Sequence, residues 1–169
     1  MTAAIACPCN SSLDYQNCCA RYHAGAKPAA AEDLMRARYS AYAQHNVEFI
    51  RDTSLPAQQA QLDMAAITDW SQNSQWLGLE VLAERIHADQ RHATVEFIAH
   101  WQDAEGQHQH QETSLFIRPA EQWYFMILTC HCVQNAMHLA RAAVVSSSKN
   151  AALPTYKSCQ RNDHRLLVS

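Results

Sequence analysis

The sequence predicts an α+β fold with a small metal knuckle at its N-terminal end, and three observations carry that prediction. Four of the seven cysteines crowd into Cys7-Pro8-Cys9 and Cys18-Cys19. Apolar residues recur at helical spacing between Leu34 and Trp70. From Leu77 to Leu128 the period changes to two, and turn-forming residues interrupt it at regular intervals. Helices followed by an antiparallel meander give a layered domain whose sheet curls around the helices.

The cysteines come first in the chain. Thiolates are soft, charged donors that suit a tetrahedral zinc or an iron centre. Asn10, Ser11 and Ser12 are turn formers that can fold the two Cys-bearing ends onto each other. Leu13 and Tyr15 can cover one side of the ion, and Asp14 to Asn17 can form a single helical turn that presents Cys18 and Cys19. The competing use, a disulfide, fits poorly because adjacent cysteines pair only with strain.

Ala20 to Ala31, with Gly25 and Pro28, reads as a linker. Glu32-Asp33 supplies acidic residues for the start of a helix running from Leu34 to Gln44. His45-Asn46 breaks it, a short helix follows at Val47 to Ile50, and Pro56 opens a third that carries Leu62, Ala66 and Trp70. Strands are expected over Leu77–His87, Ala93–Gln102, Gln107–Arg118 and Gln122–Leu128, the last apolar enough to be central. Turns fall at Asp89-Gln90-Arg91, Asp103-Ala104-Glu105-Gly106 and Pro119-Ala120-Glu121. The expected organisation is a metal-binding module and linker over 1–27, an α+β domain over 28–129 and a divergent tail over 130–169.

Bulk properties narrow the class. With 169 residues, 48% hydrophobic, the chain suits one ordinary domain with a small appendage. A net charge of −3 argues against DNA held by bulk electrostatics. An odd cysteine count with four at metal spacing fits a reducing cytoplasm better than a secreted scaffold. The first residues lack a basic, then apolar, leader, and no run is long enough to span a membrane.

Cys7, Pro8, Cys9, Ser11, Tyr15, Cys18 and Cys19 match the SEC-C motif, C-P-C-G-S-G-x-K-[YF]-x-x-C-[CH], and the stretch resembles that motif. Asn10 and Ser12 stand where glycines are usual, and Asp14 replaces the usual lysine. Asn tolerates the left-handed backbone region; Ser is less comfortable there. A second resemblance rests on Leu34-Met35-Arg36-Ala37-Arg38-Tyr39-Ser40-Ala41-Tyr42, Leu77-Gly78-Leu79, Val95 to Ala99, Glu112 to Phe116 and Trp123-Tyr124-Phe125. Together with the cysteines, these resemble the YchJ-like family up to about residue 127. That resemblance implies a domain shaped like nuclear transport factor two, a cone of helices on a curved antiparallel sheet (cystatin-like). Beyond that point the likeness stops. Cys130-His131-Cys132 is followed by Arg141 where a second motif would place a cysteine. A frame-changed second module and a divergent helix over Val133–Val145 with a loose tail are both open readings.

The metal ligands expected are therefore Cys7, Cys9, Cys18 and Cys19, with zinc the default ion and iron compatible with the same donors. Within a cone, His100 and Glu112, with Asp69, are the candidate polar groups and Trp101 and Trp123 the candidate walls. No nucleophile-with-base spacing accompanies them, so catalysis is not the favoured reading. Arg36 and Arg38 are expected to form buried ion pairs with Glu112 or Glu96. The SEC-C module of the SecA translocation ATPase docks on the SecB chaperone and the ribosome. The resemblance thus implies a non-catalytic adaptor with a protein or ribosomal partner. The alternative is a small-molecule-binding protein or enzyme that uses the cone cavity and keeps the metal for structure alone.

Overall fold

A computed structural model of the chain describes residues 5–127, which lie within one compact unit. The expectations for Leu128 onward, including those for Cys130-His131-Cys132 and for Val133–Val145, lie outside the described residues. At the N-terminal end Ala6 and Asp14 pair as an antiparallel bridge, and a 3-10 turn over Tyr15–Asn17 follows. The chain then forms a one-turn helix, α1 (Ala20–His23), in the stretch expected to be linker. The Cys19 carbonyl accepts from the N–H groups of both Tyr22 and His23, which nucleates the turn, and Gly25 at φ +103° ends it.

Helix α2 (Ala31–Ala43) begins slightly earlier than its apolar pattern indicated, because Asp33 accepts from the Ala30 N–H and sets the first turn. It stops where His45 enters the left-handed region, and the Asn46 side chain caps α3 (Val47–Asp52) by accepting from the Phe49 N–H. The helix expected from Pro56 is two pieces. A 3-10 segment spans Pro56–Gln61, Leu62 is extended, and α4 (Met64–Asn73) starts afresh because Asp63 caps the Ala66 N–H at 2.9 Å. An internal capping residue outcompetes continued helix there.

Four strands follow: β1 (Gln75–Ile86), β2 (His92–Asp103), β3 (Gly106–Ile117) and β4 (Tyr124–Met126). They form one antiparallel sheet in the order β1-β2-β3-β4. β4 is short and lies at the end of this order, not in the middle. The backbone of the segment after α3 pairs with its other edge at Phe125. Phe125 N–H donates to Thr53 O, and Leu55 N–H donates to Phe125 O. β1 slips register between Trp76 and Gly78 and between Val81 and Ala83. Simple alternation would put Leu77, Leu79 and Val81 on one face, but at the first bulge Leu77 is 44% exposed while Leu79 is buried; Leu82, 47% exposed, faces outward as alternation from Leu79 places it.

Tyr39 of α2 fastens the first bulge. Its hydroxyl accepts from Gly78 N–H at 2.6 Å and donates to the His100 carbonyl at 2.8 Å, joining helix, bulge and β2. Gly78 has φ +146°, a conformation that favours glycine, and the Asn10 side chain of the knuckle lies against it. The principal core joins Leu34, Met35 and Tyr39 of α2 to Leu79, Val95, Phe97 and Phe116 of the sheet, and Trp123 closes it.

Arg38 is buried on α2, and its partners are not acids. Its guanidinium donates to Ile50 O (2.7 Å), Thr53 Oγ1 (2.8 Å) and Ser54 Oγ (3.3 Å) and lies 4.3 Å from the centre of the Phe125 ring. Burial brings its pKa down to about 10, so it remains a cation at neutral pH. Arg36 pairs with Glu32 one turn back at 2.8 Å. The expected ion pairs with Glu112 or Glu96 are thus replaced by carbonyl and hydroxyl acceptors and by a local helix pair, and Glu112 acts on Arg38 only through charge at longer range.

Two outcomes follow from these anchors. Arg38→Met removes charge-assisted bonds from a buried site and should cost about 2–3 kcal/mol in chemical denaturation; an unchanged midpoint would refute the anchor. Burial raises the Tyr39 pKa from 10.0 to about 12. An acid whose pKa rises on folding stabilises the fold below its unfolded value, and that contribution is lost as pH climbs from 10 to about 12. Tyr39→Phe should therefore lower stability at pH 8 by about 1–2 kcal/mol and flatten the fall between pH 10 and 12.

Candidate metal centre

The knuckle is a tight hairpin closed by backbone hydrogen bonds. Cys7 N–H donates to Leu13 O, Asn10 N–H to Cys7 O, and Tyr15 N–H to Ile5 O. Its turn requires left-handed backbone at Asn10 (φ 59°) and Ser12 (φ 65°), the two positions where the motif ordinarily carries glycine. Asn adopts this region readily; Ser at Ser12 carries the strain. The 3-10 turn then delivers Cys18, whose N–H donates to Tyr15 O, and Cys19 beside it.

All four thiols are buried. Their sulfurs lie within 4.8 Å of one another. The Cys9–Cys18 and Cys18–Cys19 separations are 3.7 and 3.8 Å. Four sulfurs at about 2.3 Å from one tetrahedral ion stand about 3.8 Å apart, so the donor set fits a closed four-thiolate site. Hydrogen bonds from Cys19 and Cys9, with a smaller one from Ser40, draw Cys7 far below the usual thiol range, while the proton shared with Cys7 pushes Cys19 up. Burial also raises Cys18, partly offset by the Ser11 hydroxyl 3.1 Å away. Metal uptake must displace the protons that remain.

Helix α2 forms the inner wall of this site. Ser40 Oγ lies 3.4 Å from Cys7 Sγ, and Arg36 donates to the Cys9 carbonyl at 3.2 Å. His23 joins the two modules. Its Nε2 faces the Ala37 carbonyl at 2.9 Å, which can only accept, so Nε2 carries the proton and Nδ1 accepts from the Tyr15 hydroxyl at 2.7 Å. Burial lowers the His23 pKa, and the ring is a neutral bridge, not a surface cation. Ser40, His23 and Arg36 were not legible as parts of the centre, because their roles depend on which face of α2 meets the knuckle.

The candidate cone residues do not gather at one point, although Trp101 and Glu112 lie on the same face of the sheet. Alternation along β2 sends His100 and Trp101 to opposite faces of the sheet. His100 pairs with Glu80 at 2.8 Å on the face turned away from the helices. Trp101 packs on Trp70 and stacks on His108. Glu112 bonds His110 and Ser114 along its own strand. Trp123 is fully buried at the other end, donating to the Ala29 carbonyl. Asp69 is exposed on α4, where it accepts from Asn73. Asp103, Glu105 and His108 gather at the β2–β3 hairpin, but Asp103 already accepts from His108 Nε2 and from the Glu105 N–H.

The strained turn yields a test. Ser12→Gly relieves a left-handed residue and should stabilise the metal-bound knuckle by about 1 kcal/mol, roughly fivefold in metal affinity by chelator competition. Weaker metal retention in that variant would contradict the strain assignment.

Residues 6–21 match the family described as the SEC-C motif, and residues 30–127 match the family described as YchJ, middle NTF2-like domain. The chain resembles the crystal structure of a SEC-C motif containing protein from Psychrobacter arcticus, at 32% identity and a TM-score of 0.66, over 92% of this chain and 94% of that one. It equally resembles the solution structure of RPA3114, a SEC-C motif containing protein from Rhodopseudomonas palustris, at 32% identity and a TM-score of 0.66, over 72% of this chain and 94% of that one. The joined matches, over a fold of helices on a four-stranded antiparallel sheet, place this chain in the YchJ-like family of SEC-C motif proteins.

Proposed function

We propose that the chain is a non-catalytic adaptor that binds one zinc ion through Cys7, Cys9, Cys18 and Cys19 and docks a protein or ribosomal partner with the outer surface of its knuckle. The closed donor set carries this reading. Four thiolates complete a tetrahedral ion and leave no position for a substrate, which is the mark of a structural site. Iron fits the same donors, so elemental analysis decides between the two. The sulfurs face inward, while Ile5 and Leu13 on the same hairpin are 73% and 53% exposed. A module this small holds such a surface in shape only through its ion and its packing on α2. The absence of the usual lysine at Asp14 favours a protein surface over bare RNA. Among the described residues no helix is long and apolar enough to cross a membrane.

The alternative, a ligand or enzyme site in the cone, draws on Glu112 with its neighbour His110. Tyr42, Trp70, Trp76 and Trp101 occupy the adjoining inner surface, packed at centroid distances of 5.0–6.5 Å.

Co-sedimentation with purified ribosomes and titration against SecB test the adaptor. Binding to one of them should be lost on chelation, with Cys18→Ser and with Leu13→Asp, and should survive His100→Ala and Glu112→Gln. Binding that ignores chelation, or fails only when Glu112 changes, would favour the cone.

A further inference from the structure

The four sulfurs are held by more than the knuckle. Ser40 sits in the last turn of α2, fully buried, with the buried alanines Ala37 and Ala41 beside it. A buried hydroxyl costs free energy unless it is bonded, and a serine inside a helix ordinarily turns back to the carbonyl one turn earlier. Here the partner of Ser40 Oγ is Cys7 Sγ, from a segment 33 residues earlier in the sequence. A sulfur bound to a metal carries no proton, so in the loaded site the hydroxyl is the donor. Ser11 plays the same part for Cys18 from within the knuckle and is only partly buried.

Four thiolates around a divalent ion leave a net charge of about −2 in a buried place, so each donor to sulfur offsets a large desolvation cost. Arg36, bonded to the Cys9 carbonyl from one turn earlier on the same helix, adds positive charge nearby. If Ser40 only permitted close packing, alanine would serve as well, as it does at the neighbouring positions.

Building on the metal reading above, we propose that Ser40 is a positioning residue of the metal centre, the hydrogen-bond donor through which the sheet domain sets the affinity of Cys7 and its ion. The donor lowers electron density on the Cys7 sulfur and fixes its direction. The centre is then completed by two segments that neither the SEC-C match nor the domain match contains together.

Cobalt(II) serves as the probe on the full chain, since its thiolate charge-transfer band reports electron density at sulfur and its ligand-field bands report tetrahedral geometry. S40A is expected to keep the ligand-field bands and the far-ultraviolet spectrum. Its charge-transfer band should move to lower energy, and cobalt should be lost to a chelator about tenfold more readily than from the parent, the low end of outer-shell effects. S11A should give a smaller shift because its hydroxyl is partly solvated. A band position and release rate in S40A equal to the parent's would overturn the proposal and leave Ser40 as packing. If the parent itself takes up no cobalt, the metal reading falls, and this role falls with it.

Discussion

The contact of α2 with the knuckle is the constraint on which the described structure depends. One face of the helix offers Arg36, Ala37 and Ser40 to the cysteine hairpin, and other positions send Leu34 and Tyr39 into the sheet. Arg38 turns instead to α3 and the segment that covers β4. A helix needs only one apolar stripe to fold onto a sheet. α2 is occupied on several sides, which explains why eight of its thirteen residues are buried. The cysteines consequently belong to the principal core, together with Leu34, Val95 and Phe116. The knuckle and the sheet domain are distinct in sequence, yet they share that interior.

Much of this architecture was legible from periodicity and punctuation. The helical stripe through Leu34, Ala37 and Ala41, the breaks at His45 and Asp103–Gly106, and the alternation of β2 all correspond to observed elements. The four thiols were legible because their spacing admits few chemical uses, and they do converge. What escaped the sequence was governed by contacts distant along the chain. The bulge at Leu77 depends on a tyrosine hydroxyl 39 residues before Gly78. The edge position of β4 depends on a loop that pairs with Phe125. The acceptors of Arg38 were hidden for the same reason: carbonyls leave no signature in a sequence, whereas acids do, and so acids attract the expectation.

The candidate cone residues teach a related lesson. His100 and Trp101 are neighbours in sequence, and in a strand that adjacency separates them. Residues His110, Glu112 and Ser114 share a face because they are two apart, and their bonds run along the strand. Alternation alone could have assigned these faces. It could not have said that Tyr42 and three tryptophans fill the neighbouring inner surface, since that depends on where α4 lies after its interruption at Leu62.

The near-complete burial of the thiols, with Cys9 and Cys19 at 0% exposure, has a kinetic meaning. An oxidant or alkylating reagent arriving from solvent cannot reach Cys9 or Cys19 in the closed state. Modification of these two must wait for the hairpin to lift from α2, an opening of the kind that hydrogen exchange detects as local unfolding. Where reclosing is faster than the chemistry, the reaction rate measures the population of that open form and says little about intrinsic thiol reactivity. The cysteines thus act as a built-in clock for how often this corner of the protein comes apart.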